Sequence, residues 1–158
     1  MNEARQTTAL TVRPVMAADH PAWLRLWEGY NAFYGRAGPT ALEPAIIEST
    51  WRRFLDPLEP MHALVAERGG ELVGLAHFIF HRNTILLGDT CYLQDLFTAE
   101  AARGAGIGRA LIEETALRAR AAGCARLYWH THETNAAAMK LYDQVARKSG
   151  FVVYRKDL

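Results

Sequence analysis

The chain has 158 residues, half of them hydrophobic, and a formal net charge of +1. Its length suits one domain with its own core, and its charge balance leaves no electrostatic footprint for nucleic acid. No apolar run reaches the roughly 18 residues of a membrane span, residues 1–8 carry no apolar signal segment, and Cys91 and Cys124, the only cysteines, fit a reducing compartment, by default the cytoplasm.

In chain order, residues 10–14 read as a strand stopped by proline. Residues 17–34 place Trp23, Leu24, Trp27, Tyr30 and Tyr34 at helical spacings, with Asp19 as a candidate cap. Residues 35–39 form a loop and 44–56 a second helix. Residues 62–67 and 71–82, joined at Arg68-Gly69-Gly70, read as a hairpin. Residues 89–98 are the next strand. A helix over 106–122 is closed by Gly123, a strand covers 125–131, a helix 135–148, and a last strand 151–156. The order β-α-α-β-β-β-α-β-α-β implies an α/β (α+β) fold, a mixed sheet with helices on its faces, as one domain over residues 1–158.

The most informative stretch is Tyr92-Leu-Gln-Asp-Leu-Phe-Thr98, followed by Arg103-Gly-Ala-Gly-Ile-Gly108. Gly104, Gly106 and Gly108 let the backbone approach a ligand closely. The helix that follows turns free N–H groups and a positive dipole end toward the same place, which makes an anion cradle. A P-loop requires Lys-Ser or Lys-Thr after its last glycine, and Arg109-Ala110 stands there instead. A dinucleotide fingerprint requires G-x-G-x-x-G near the first strand, whereas this is G-x-G-x-G late in the chain. The plain alternative is a glycine-rich connecting turn.

R-G-x-G-I-G after an apolar strand resembles the acetyl-CoA pyrophosphate loop of the GNAT N-acetyltransferase superfamily. The resemblance continues through Tyr128-Trp-His-Thr-His-Glu-Thr-Asn135, then Tyr142, and Ser149-Gly-Phe151, so it covers more than a third of the chain. Within the superfamily it is most similar to the polyamine and thialysine N-acetyltransferases and to a small histone-acetyltransferase-like branch. The resemblance implies a mostly antiparallel central sheet. It also implies acetyl-CoA as co-substrate, held by the backbone of Arg103, Gly104, Ala105, Gly106, Ile107 and Gly108. Leu96, Phe97 and Thr98 would pair with the pantetheine arm as with an added strand, across a gap between the Thr98 and Arg126 strands. Tyr142 would be the general acid that protonates the leaving thiolate, the alternative being a packed ring. Asn135 would contact the cofactor, cap its helix, or both.

The pattern is broken in two places. The polyamine enzymes carry Glu-Asp where this chain has Gln94-Asp95, and an amide is no base. Asp95 then becomes the nearest carboxylate, as base or as cation binder, although strand neighbours face opposite ways unless a bulge intervenes. Water is another route. His77, His81, His130 and His132 are further candidates, read first as partly exposed strand histidines rather than metal ligands, and no metal is expected. The second departure is the eight-residue interval from Tyr142 to Gly150, twice the family's usual four and read as an extra helical turn. It leaves no length for a final strand after the 151–156 segment. The open edge there implies a homodimer or dimer-based oligomer, unless Arg155, Lys156 and Asp157 shield it.

The acceptor wall is expected from Trp27, Glu28 and Tyr30, with Gln94, since rings beside a carboxylate suit an amine. The implied activity is direct transfer of acetyl from acetyl-CoA to a primary amine. The acceptor would be a polyamine, an amino acid, another small amine or a peptide lysine. The alternative is an acyl-CoA-binding regulatory module with little turnover.

Overall fold

A computed structural model describes residues 9–158; the signal-segment reading of residues 1–8 lies outside the described residues. The elements are β1 (Leu10–Pro14), α1 (His20–Phe33), α2 (Pro44–Phe54), β2 (Met61–Arg68), β3 (Glu71–His81), β4 (Thr90–Thr98), α3 (Ile107–Ala121), β5 (Arg126–Tyr128) and α4 (Ala136–Val145). The strands form one sheet in their chain order, antiparallel throughout except for the parallel pair β4–β5. The mixed, mostly antiparallel sheet flanked by helices agrees with the sequence expectation.

Both faces of the central strands are covered, so β2 and β3 read as continuous buried runs rather than alternating ones. On one face, Trp23, Leu26 and Trp27 of α1 pack with Leu75, joined by Trp51 and Phe54 from α2 and its end. On the other, Ile107, Leu111, Ile112 and Ala119 of α3 pack on Leu64, Ala76, Phe78, Cys91 and Leu93. Asp19 does not cap α1. Its carboxylate accepts the Met16 N–H at 2.7 Å and two guanidinium bonds from Arg13 at 2.7 and 3.0 Å.

Two irregularities in β4 shape everything that follows. Across from β3, His77 pairs with Asp95 and Phe78 with Leu93, so Gln94 is an extra residue, a β-bulge. Across from β5, pairing covers only Thr90, Cys91 and Tyr92. Beyond Tyr92 the two strands part, and the edge of β4 from Leu93 to Thr98 lacks a strand partner on that side.

The C-terminal expectations need correction. Helix α4 stops at Val145, and Ala146 is already extended (φ −151°, ψ −173°). The extra residues before Gly150 are therefore irregular chain outside the helix and not a helical turn. Residues 151–156 form no strand; Phe151, Val152, Val153 and Tyr154 are exposed. The physical reason is pairing: β-prone residues become a strand only against a partner edge, and this segment reaches none among the described residues.

Candidate active site

Where β4 and β5 part, a cleft is lined by Tyr30 and Tyr34 from the end of α1, Leu93, Gln94 and Leu96 from β4, Trp129 and His130 beyond β5, and Tyr142 from α4. The Tyr142 ring stands edge-on to Trp129, with centroids 5.4 Å apart. Burial pushes its phenol up to about 12, so the hydroxyl keeps its proton through the neutral range. Tyr30 and Tyr34 pack against each other, 5.0 Å between centroids.

The bulge at Gln94 decides where Asp95 goes. Leu93 faces the α3 core; with strict alternation Asp95 would join it there. The additional residue turns Asp95 to the α1 face, opposite His77. There its carboxylate, 7% exposed, accepts a bond from His77 Nδ1 at 2.8 Å and from Trp27 Nε1–H at 3.2 Å. Burial works to raise the Asp95 carboxyl, but the hydrogen bond and field of His77, with help from Tyr30 and Trp27, outweigh it and hold it below the usual carboxylate range. Burial first, and then the Asp95 charge, push the Tyr30 phenol far above an ordinary tyrosine. On the far side of His77, Trp23 Nε1–H donates to Nε2 at 2.8 Å. An indole only donates, so Nε2 is the acceptor and the ring proton sits on Nδ1, facing Asp95.

At the other end of β4, Gly104 and Gly106 adopt left-handed backbone (φ +79° and +76°), and a Cβ built on either meets nothing within 4 Å. The N–H groups of residues 104–109 find no acceptor among the described residues, and no side chain caps α3. That row of donors at a helix start, open on its outer side, fits the phosphates of a cofactor. Arg103 Nε–H reaches the Thr98 carbonyl at 3.4 Å, tying the loop to the strand.

The structure brings Gln94, Leu96, Tyr30 and Tyr142 into one cleft, with Asp95 and Trp27 behind it and Phe97 edge-on to Tyr30. Thr98, Arg103, Ala105, Gly104 and Gly106 continue along β4 into the loop. Ile107 is core, and a Cβ on Gly108 would lie 3.3 Å from Leu141 Cδ2, so that glycine admits α4. The Asn135 side chain does not cap α4. Glu28 is exposed on α1 and is not among the residues lining the cleft. His81, His130 and His132 are exposed, as strand and loop histidines, but His77 is 3% exposed and holds Asp95. That role, and Trp23 behind it, escaped the sequence reading. A signal existed: two tryptophans four apart on a buried helix face carry N–H groups that need acceptors in the core.

The sequence matches the acetyltransferase (GNAT) family over residues 23–146. The chain belongs to this family, as an N-acetyltransferase of the kind that uses acetyl-CoA. It is 32% identical over 150 residues to a D-amino-acid N-acetyltransferase of Saccharomyces cerevisiae, covering 94% of this chain and 91% of that protein. It is also 29% identical over 102 residues to a thialysine N-ε-acetyltransferase of Caenorhabditis elegans, covering 61% and 63% respectively. Among solved structures, AAC(6')-Iy in complex with a CoA-based bisubstrate analogue superposes with a TM-score of 0.81 at 14% identity, over 96% of this chain and 99% of that one. At that identity the likeness concerns the fold.

Proposed function

We propose that this chain moves the acetyl group of acetyl-CoA directly to the primary amine of a small molecule. One observation carries the reading: the unpaired edge of β4 and the protonated phenol of Tyr142 meet in the same cleft. The free donors of residues 104–109 would hold the cofactor's phosphates, and the β4 edge at Leu96, Phe97 and Thr98 its arm. The acceptor nitrogen attacks the thioester carbon, the C–S bond breaks, and Tyr142 gives its proton to the departing sulfur. Asp95, buried and held ionised, acts as the fixed negative end that draws the ammonium group in; the proton leaves that group through water. Cys91 is no acyl carrier in this reading, because it lies in the α3 core and burial pushes its thiol up to about 12.

The two curated relatives are named for acetylating amino-acid amines, so amino acids of both hands stand first among acceptors, ahead of polyamines and lysine peptides. The test is free-thiol release from acetyl-CoA across such a panel, with mass spectrometry of the products and of the protein. Acceptor-dependent thiol release with no acetylated enzyme is expected. An acetylated cysteine would replace direct transfer by a two-step route. Thiol release no faster than in the acceptor-free control, for every amine, would leave the acyl-CoA-binding module as the better reading.

A further inference from the structure

Arg36 stands at the end of the tyrosine pair that lines the cleft. Its guanidinium carbon lies 5.8 Å from the Tyr30 ring centre and 5.6 Å from that of Tyr34. Gly35, with φ +77°, folds the chain back after α1, and Arg36 N–H bonds the Asn31 carbonyl at 2.9 Å. The side chain is then pinned: Nε–H donates to Asn31 Oδ1 at 2.7 Å, and buried Asn31 is itself anchored to the Trp27 carbonyl at 2.9 Å. The two terminal nitrogens have no partner among the described residues, and no carboxylate there forms an ion pair with them. A stacked, half-buried guanidinium with its fork unused is a pre-ordered receptor for a carboxylate.

Charge arrangement adds a second reason. Tyr30 and Tyr34 both lie in the field of Asp95 and in the opposing field of Arg36. The pair is thus bracketed by a fixed negative group and a fixed positive one. That field is complementary to a molecule carrying an ammonium and a carboxylate on one small frame. A polyamine would instead bring a second cation toward an uncompensated guanidinium.

We propose that Arg36 is the carboxylate receptor of the acceptor site, and that the acceptor is therefore a free amino acid bound as a zwitterion between Arg36 and Asp95, not a polyamine. This rests on the acetyl-transfer reading above and names its substrate class. Arg36 is a specificity-determining residue, since it touches the acceptor and not the reacting atoms.

The experiment compares an amino acid with its carboxamide and its decarboxylated amine, all three sharing one side chain. A charge-assisted fork should favour the amino acid by about tenfold to a hundredfold in kcat/KM. Arg36→Gln should bring that ratio down at least tenfold, and Arg36→Lys, a point charge without a fork, should fall between. The ratio is taken within each variant, so a general loss of stability cancels. A wild-type ratio near one, or a ratio unmoved by Arg36→Gln, overturns the proposal while leaving acetyl transfer intact. If no amine is acetylated, acetyl transfer itself has failed, and calorimetry of the same three compounds decides. Equal affinity for the amino acid and its decarboxylated amine then overturns the carboxylate receptor; amino-acid affinity lost in Arg36→Gln supports it.

Discussion

Trp23 Nε1–H donates to His77 Nε2 at 2.8 Å, and that bond turns the other ring nitrogen, with its proton, toward Asp95. At the Trp23 contact His77 Nε2 is the acceptor, so Nδ1–H is the donor that faces the buried carboxylate. Hydrogen bonds from Nδ1–H of His77 and Nε1–H of Trp27, together with the field of His77, hold Asp95 as an anion against its burial.

Asp95→Asn is the first consequence. The amide keeps the shape but removes the charge, and one of its polar ends must face indole and imidazole donors. A loss of about 1–3 kcal/mol in folding stability is expected, as for a buried group left poorly paired. The wild-type carboxyl titrates lower when folded than when unfolded. Its contribution is therefore complete above about pH 4 and disappears as pH falls through the folded value. Denaturant unfolding from pH 7 down to pH 3 should show a larger acid-dependent loss in wild type than in the variant, in which Asp19 still contributes. In kinetics, Asp95→Asn should raise KM for the amine or lower kcat/KM. Unaltered amine kinetics across pH would remove Asp95 from the site's work.

Tyr142→Phe deletes the protein atom that gives a proton to the leaving sulfur in the proposed scheme. A fall in kcat of about 10²–10⁴-fold is expected, with acetyl-CoA binding nearly intact by calorimetry. Because burial holds the phenol up to about 12, Tyr142 should impose no alkaline limb on the wild-type rate through pH 9. A kcat within about a factor of two of wild type, with chemistry rate-limiting, would leave Tyr142 as a ring packed on Trp129.

Gly106→Glu adds a side chain and a negative charge where the loop backbone is left-handed and open. Acetyl-CoA affinity should drop by at least tenfold, beyond the roughly 1–2 kcal/mol that left-handed backbone costs any residue with a Cβ. Gly123, also left-handed (φ +81°), with open space around it, sits past the opposite end of α3. Gly123→Glu therefore serves as the control, with similar strain and unchanged cofactor binding. Equal affinity in a folded Gly106→Glu protein would move the phosphate cradle elsewhere.

What the sequence disclosed and what it hid divide by range. The loop at Gly104 and Gly106 and the start of α3 were legible because glycine torsions and helix ends are set by near neighbours. The place of Tyr142 at the cleft agrees with its spacing in the sequence, and its role there belongs to the proposal. The partnership of His77 with Asp95 was not. It depends on strand register and on the bulge at Gln94, which no local propensity announces. Arg36 needed the turn at Gly35 to be seen beside Tyr30 and Tyr34. The segment at residues 151–154 misled for the opposite reason: its β-prone residues promised a strand, but a strand requires an edge to pair with, and it meets none among the described residues.

That unpaired segment carries the last prediction, a dimer that swaps or joins C-terminal arms. Phe151 is 91% exposed, Val152 76%, Val153 66% and Tyr154 94%, an apolar run too continuous to be ordinary surface. The arm leaves the end of α4 without regular secondary structure, through left-handed Gly150 (φ +85°). Among the described residues strand β5 pairs only with β4, so its outer edge offers N–H and C=O groups to a further strand. A second copy placing its arm on that edge would satisfy both needs at once, and two-fold symmetry would repeat the contact. The opposing view is that Arg155, Lys156 and Asp157 keep the arm solvated; Arg155 and Asp157 do pair, at 3.2 Å, but both are exposed and Phe151 and Tyr154 stay exposed beside them. Light scattering at micromolar concentration should therefore return twice the 17.7 kDa chain mass. Val153→Pro removes one backbone donor from the arm and should shift the protein toward monomer, with little change in helical circular dichroism. Removing residues 151–158 should go further and leave a folded monomer. A monomeric mass for the intact chain would sink the dimer, and a Val153→Pro protein that stayed fully dimeric would place the interface on another surface.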